Sequence, residues 1–492
     1  MKNVVKLAVF MVLLIAFGQL ASAQTWTPLN NQPSFGPGAM LLLTDGRVLV
    51  HQEDTTYSNW WTLTPDINGS YVNGTWTKVA SLPSGYAPLY FGSVVLPDGR
   101  VVVEGGEYNN GAPSWTNKGA IYNPQTNKWT STNPPAGWTE IGDSPAVVLP
   151  NGTYLQSDCC NTPPKAALFN ASTLTWTTTG TGKFDVYDEE GMTLLPNNKV
   201  LAVDAYVFQY NATGTNSELY DMTTGAWSSA GSTVVQLWDS CGGSGGASYE
   251  VGPAVLRPDG TVFATGANGC GAGHTAIYNV SKGTWAAGPN FTGTFDVADG
   301  PAALETNGNV LVFASPGVYG LNGAFFEWNG TTLTATVNPP GASGDSSYYG
   351  HLLELPTGQL LFTDFSSDVE VFTPSGTYQS SWQPTVTNFP STIVRGKTYG
   401  IAGTQFNGLS QGGAYGDDFQ DASNYPLVRV TNTATGHIFY AHTHNHTSMG
   451  VATRSKLVGT HFEMPTTAET GASTLEVVAN GIPSNPVSVT IQ

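Results

Sequence analysis

The feature that most restricts this chain is a short motif met seven times. Residues 96–106 read LPDGRVVVEGG: an apolar run, a Pro-Asp-Gly turn, then a β-branched run. Asp-Gly between two such runs signals a tight hairpin. The unit returns as LTDGRVLV (43–50), LPNGTYLQ (149–156), LPNNKVLAV (195–203), RPDGTVFATG (257–266), ETNGNVLVF (305–313) and LPTGQLLF (355–362). The turns fall at Gly46, Gly99, Gly152, Asn198, Gly260, Gly308 and Gly358, at intervals of 53, 53, 46, 62, 48 and 50 residues. A unit this small cannot bury its own apolar faces, so neighbouring units must pack on one another.

A second mark keeps the same period. After most turns comes an aromatic, another turn and a Trp: IYNPQTNKW (121–129), LFNASTLTW (168–176), LYDMTTGAW (219–227) and IYNVSKGTW (277–285). Each repeat thus supplies four short strands. Four-stranded units at a period near 50 predict an all-β chain built on a seven-bladed β-propeller of the kelch kind, over residues 24–382. Trp26-Thr27-Pro28 precedes the first unit and reads as the outer strand of the last blade. Such closure leaves no free sheet edge. The sixth unit departs from the pattern, with Trp328 in its third strand and residues 333–337 as its fourth. Past residue 372 the period stops. Residues 383–492 alternate like a separate immunoglobulin-like sandwich, with a Gly- and Asp-rich insert at 408–425 that reads as a loop.

The start of the chain has the form of a secretory signal peptide over residues 1–23. It carries Lys2 and Lys6, an apolar run at 7–17, and Ala21-Ser22-Ala23 before the cut. The run is short for a membrane span, and no later segment is long enough. The expected location is secreted, extracellular or at the cell surface, as a monomer. The formal charge is −18 and grows more negative when two lysines leave with the leader. That excludes nucleic acid and anionic membranes as partners and favours cations. Export permits disulfides. Cys241 and Cys270 flank the fifth unit on loops of one face, so a bond between them is expected. Adjacent Cys159 and Cys160 form either a vicinal disulfide or two free thiols. The cysteine spacing fits no zinc motif. The glycine-rich stretch 234–248 lacks the Lys and following helix of a phosphate loop.

The candidate chemistry lies in two groups. Asp143, Asp188, Glu189, Glu250 and Asp299 each sit nine or ten residues before a turn, where the innermost strand of a blade begins. Near-copies FDVYDEEG (184–191) and FDVADGPA (295–302) support equivalent placement around a central channel. Such a ring needs a cation or protons. His442, His444 and His446 alternate, so along one strand they face one side. Imidazoles there suit copper, zinc, nickel or iron. The expectation is one transition metal, held by His444 and His446 with one or two of the carboxylates. On the other reading the histidines are a packed polar face and the carboxylates cap backbone N–H groups. Tyr86, Tyr90, Tyr187, Trp238, Tyr348 and Tyr349 either stack on sugar rings or pack the blades. His437 and His461 read as structural.

Signal peptide, seven-bladed kelch propeller and C-terminal sandwich together resemble the galactose oxidase family. The end of the chain resembles it most, through FYAHTHNHTSMGVAT (439–453), THFEMP (460–465) and TLEVVANGIPSNPVSVTI (474–491). The resemblance implies a C-terminal hairpin that carries a copper-ligand histidine into the channel, with His444 as its first match and His446 as its second. It implies copper as the metal, and Tyr348 as the ligand and catalytic tyrosine. The histidine that should follow falls on Tyr349, with His351 two residues on. The cysteine position holds Tyr90 or Asp143, so no Cys–Tyr cofactor is expected. Two functions follow. One is a secreted, non-radical relative binding a glycan or another small extracellular ligand at the propeller mouth. The alternative is a metal-dependent copper oxidoreductase acting on alcohols, aldehydes or sugars.

Overall fold

The repeated turn has one local construction. All seven turn residues have positive φ, from 63° at Asn198 to 89° at Gly308, which glycine and asparagine adopt at least cost. The Gly46, Gly99 and Gly152 N–H groups each donate to the carbonyl three residues back. The Asp or Asn before the turn residue accepts from the N–H two residues on, as in Arg47 to Asp45, Arg100 to Asp98 and Thr153 to Asn151. Turn and register are therefore set within five residues, before any long-range contact.

The computed structural model describes residues 23–207, 214–241 and 246–492. The expected signal peptide lies outside them except for Ala23, as does the middle of the glycine-rich stretch, 242–245. The fold is all-β, and helix among the described residues is limited to short 3₁₀ turns. Six four-stranded sheets and one five-stranded sheet follow one another along the chain up to Glu370–Thr373. In the first, Pro37–Leu42, Val48–Gln52, Trp60–Thr64 and Thr75–Lys78 pair in order. The last takes its outer strand from the start of the chain. Thr25–Pro28 pairs with Glu370–Thr373, with Trp26 opposite Phe372. Trp26 also packs on Phe325 at 4.7 Å and donates its indole N–H to Val337 O at 2.8 Å, in the sheet before. Several other outer-strand tryptophans make a like bond, though Trp227 does not. Trp129 reaches Ala80 O, Trp176 reaches Asn133 O, and Trp285 reaches Ser217 Oγ. In these sheets the recurrent Trp ties the outer strand to an earlier stretch of the chain.

Innermost strands touch in a closed succession. Pro37–Leu42 contacts both Gly92–Val95 and His351–Glu354, and Gly92–Val95 contacts Ala146–Val148. Val147 shares a buried cluster with Leu194. Thr193–Leu194 contacts Ala254–Leu256, which contacts Ala302–Leu304, which returns to His351–Glu354. The arrangement is propeller-like. Residues 385–491 form a further nine-stranded sheet with its own core of Ile401, Val428, Val458, Phe462 and Leu475.

The insert at 408–425 is more than the expected loop. Its short strand Gly413–Ala414 adds to the innermost strand Ala302–Leu304 as a fifth member of that sheet. Phe419 bridges to Ser93, Gln411 Oε1 accepts from the Leu194 N–H at 2.6 Å, and Ser423 Oγ donates to Glu354 Oε2 at 2.6 Å. One segment therefore fills the centre of the ring and touches the inner strands of several sheets. Its polar groups replace the neighbour that an innermost strand otherwise lacks.

Candidate functional site at the start of the innermost strands

The carboxylates expected to ring the channel do converge. Asp143, Asp188, Glu189, Glu250 and Asp299 all precede innermost strands. The insert adds Asp417 and Asp418, and Glu107 joins them just past the strand Val101–Glu104. Oxygens of Asp143, Glu189 and Asp417 lie within 4.8 Å of one another. Tyr415 donates from its hydroxyl to Tyr348 O at 2.7 Å and lies 3.1 Å from Asp299 Oδ2. Gly416 is required beneath it, since a Cβ there would stand 2.7 Å from Asp299 Oδ1. Asp418 is 1% exposed, no N–H or hydroxyl donor reaches either of its carboxylate oxygens, and its side-chain neighbours are the carboxyls of Asp143 and Asp417. Asp143 Oδ1, Asp299 Oδ1 and Asp417 Oδ2 are likewise buried without a partner. Among the described residues, no ion pair reaches any of these eight side chains.

Burial, then mutual repulsion, raises the acids. Burial first and Asp417 and Glu189 next push Asp143 well above the usual carboxylate range. Asp418 is raised by burial and then by Asp143 and Asp417. Glu189, Glu250 and Asp299 are raised in the same way. Asp188 is pushed up to about 6, with burial the main cause, and Glu107 to about 7, with burial ahead of Asp417 and Asp188. A second acidic cluster, Asp185, Glu190, Asp204 and Glu218, shows the contrast. It closes on the buried Lys183 ammonium, with Glu218 at 2.9 Å and Glu190 at 3.1 Å. That cluster carries its own cation; the axial chamber does not.

Aromatic rings stand around the chamber. Tyr348 and Tyr349 lie 4.3 Å apart, and Tyr319, 59% exposed, meets Tyr348 at 5.8 Å. Tyr90 approaches Tyr108 at 6.0 Å, and Tyr206 stacks on Tyr249 at 4.3 Å. Trp238 packs behind Tyr249. Tyr86 and Tyr187 are buried packing residues. Glu189 and Tyr90 hold positive φ, 59° and 51°, a strained conformation of the kind that collects at functional sites. Beside the carboxylates lies the disulfide Cys159–Cys160, with Cys160 Sγ 3.5 Å from Asp188 Oδ1. Cys241 and Cys270 are also bonded. All four cysteines are thus paired in two disulfides.

The histidines are not part of this chamber. The Thr443 N–H donates to Thr44 O at 3.1 Å, and the His446 N–H to Pro97 O at 3.0 Å. His442 Nε2 faces the Gly99 turn. These are the turns at the far end of the innermost strands, more than one strand length, and so over about 10–13 Å, from the carboxylates. A metal shared by His444, His446 and the ring carboxylates is therefore not formed, because the histidine strand and the insert approach opposite ends. Nor do the three histidines share a face. Asn445 has φ 55° and the strand Ile438–His444 ends before it. His446 turns inward to bond Thr460 Oγ1 through Nδ1 at 2.8 Å, and burial pushes its pKa down to about 3. His351 is buried against Tyr415 and Phe419, and burial lowers it to about 4. His437 pairs with Glu469 at 2.7 Å. His461, expected as structural, is exposed and stands opposite His444.

Sequence reasoning missed Glu107, Asp417, Asp418, Tyr415 and Tyr319. The adjacent acids in the insert were the available signal, but no repeat fixes where an insert goes.

Comparison with known proteins supports the fold. No family model matches the chain. The curated "Kelch-like protein terF" of Aspergillus terreus is 30% identical over 118 residues, covering 22% of this chain and 25% of that protein. The chain thus spans about a quarter of the curated relative it matches. A solved fungal alcohol oxidase of the AA5 family, in complex with copper, aligns over 96% of this chain and 100% of its own, with a TM-score of 0.53 and 12% identity. The extracellular domain of a hybrid two-component system from B. thetaiotaomicron aligns over 96% of this chain and 59% of its own, with a TM-score of 0.47 and 10% identity. The resemblance to galactose oxidase-like kelch proteins holds at the level of fold. Among the described residues, no helix is long and apolar enough to cross a membrane.

Proposed function

We propose that this is an exported galactose oxidase-like kelch protein, with a seven-bladed propeller over 24–382 and an immunoglobulin-like module over 383–492. On this reading the propeller mouth binds a polyhydroxylated ligand, in the first instance a glycan, through a hard divalent cation held by the axial carboxylates. The observation that carries it is Asp418, a buried carboxylate that no N–H or hydroxyl donor reaches and that faces only the carboxyls of Asp143 and Asp417. An ionised group so placed needs an opposite charge or a proton. Carboxylate oxygens suit calcium, magnesium or manganese, and calcium takes six to eight of them with places left for water or hydroxyls. Tyr319, Tyr348 and Tyr349 offer faces for sugar rings, and Asp188 and Glu107 offer acceptors for hydroxyls.

The copper oxidase reading finds less support. The donors at the chamber are oxygens. Tyr349 stands where the resemblance requires a histidine, and the segment at the centre of the ring carries Asp417 and Asp418 rather than His444. The donor set does not fit the radical copper site, and no oxidation step is assigned. A test uses mature protein from an exporting host. Calcium titration should give one site, lost in Asp417→Asn/Asp418→Asn, and glycan-array binding should need calcium and fail in chelator. No calcium site in the wild-type protein, or turnover of alcohols with release of peroxide, would overturn the proposal.

A further inference from the structure

The strands Ile438–His444 and Leu457–Glu463 pair antiparallel with His442 opposite Glu463 and His444 opposite His461. Residues directly opposite, and those two apart on one strand, share a sheet face. Four metal-binding side chains, three imidazoles and one carboxylate, therefore form a two-by-two array on one face. Their rings are already neighbours: His442 and His444 lie 5.3 Å apart at 19° between planes, and His444 and His461 lie 5.8 Å apart at 21°. His442 Nδ1 is buried and has no hydrogen-bond partner. His442 and Glu463 also line a cleft of about 500 Å³ with Asp45, Arg47 and Tyr440. Nothing else in the fold calls for three imidazoles there. A stacked polar face would be served by serine or threonine, as at Thr443 and Thr460 in the same two strands.

We infer that His442, His444, His461 and Glu463 form a binding site for one borderline divalent metal ion, zinc or copper, on the module strands facing the propeller turns. The ligand set is nitrogen-rich with one oxygen, which suits these ions and not calcium. Turning the rings about χ2, a soft torsion for histidine, changes parallel stacking into convergence on one ion. His446 is not counted among the four, since the left-handed Asn445 breaks the alternation and its Nδ1 is bonded to Thr460 Oγ1. The site would clip the two strands together beside the Gly46 and Gly99 turns, at the end of the propeller remote from the acidic chamber. It stands whether or not the chamber binds a glycan.

With excess Ca²⁺ present to occupy the acidic chamber, the test titrates the full mature chain with Zn²⁺, and separately with Co²⁺ for its visible absorption. One ion per chain is expected, with the absorption of a low-coordinate nitrogen–oxygen site. His461→Ala changes an exposed residue and should fold normally, which circular dichroism checks; it should weaken Zn²⁺ binding about 100-fold. His444→Ala should do the same. His446→Ala, if folded, and Asp417→Asn/Asp418→Asn should leave Zn²⁺ affinity within about twofold. Absence of one-to-one binding in the wild-type chain overturns the inference. So does a His461→Ala chain that binds as before, or loss of binding in the Asp417→Asn/Asp418→Asn chain.

Discussion

Raising the pH should destabilise the metal-free protein, and a divalent cation should reverse the trend. Asp143, Glu189 and Asp417 present oxygens within 4.8 Å of one another. At an effective dielectric of about 20, each ionised pair at that distance costs about 3.5 kcal/mol, so three charges together cost about 10 kcal/mol. That equals the whole stability of many domains. Placing a proton on one acid at pH 7 costs about 4 kcal/mol against a reference pKa near 4, and removes two of the three repulsions, about 7 kcal/mol. The protonated state wins, so the metal-free chamber keeps at least one proton at neutral pH. The sign follows from the raised values. Asp143, Glu189, Glu250, Asp299 and Asp418 have higher pKa values folded than unfolded, so their contribution is fully present below about pH 4 and is lost as pH rises through the folded values. Asp188 at about 6 and Glu107 at about 7 place the window between pH 4 and 7. For Asp188 alone the loss is about 3 kcal/mol as an upper figure. Denaturant unfolding in chelator at pH 4.5, 6 and 7.5 should show falling stability. Asp418→Asn should flatten the fall, having little effect at pH 4.5 and stabilising at pH 7.5. Calcium titrations in two buffers of different ionisation enthalpy should report about one proton released per ion. Metal-free stability that rises with pH across this window, or calcium binding without proton release, would refute the electrostatic reasoning.

Three further outcomes follow from particular contacts. Trp26→Ala removes the packing on Phe325, Phe362 and Phe372 and the bond to Val337, so it should cost about 3–4 kcal/mol in denaturant unfolding. Cys241→Ser/Cys270→Ser opens a link across 29 residues and should cost about 3–4 kcal/mol on loop entropy, whereas Cys159→Ser/Cys160→Ser, which closes no loop, should cost under about 1 kcal/mol; thermal shifts of the two variants compare them. Gly99→Ala sets a Cβ 2.8 Å from His442 Nε2 and from Thr44 Oγ1 at a φ of 81°, so it should lose more than about 1 kcal/mol, and His442→Ala in the same chain should return part of it.

What the sequence revealed and what it hid follow from the range of the forces involved. The seven turns were legible because each is closed by hydrogen bonds within five residues, and only Gly or Asn suits the backbone there. The pairing of Trp26 with Phe372 spans the whole chain, yet it was legible because the last repeat lacked an outer strand. The histidines were misplaced by a single residue. Alternation was carried through Asn445, but asparagine tolerates the left-handed conformation, and past it the period of two no longer holds. The partner His461 needed the register between two strands, which local pattern does not contain. The insert was the deeper omission, yet one pairing determines its outcome. Gly413–Ala414 runs antiparallel to the strand Ala302–Leu304, with Ala414 opposite Ala302 and Gly413 opposite Ala303. Continued in that register, each later residue of the insert moves one place toward the start of the strand, and Asp417 comes opposite Asp299. The same direction explains why Tyr415 reaches Asp299 and Tyr348. Once the insert's stem pairs with an innermost strand, its two adjacent acids must arrive where the other carboxylates begin their strands. An antiparallel stem cannot deliver them to the turn end, where the histidines lie.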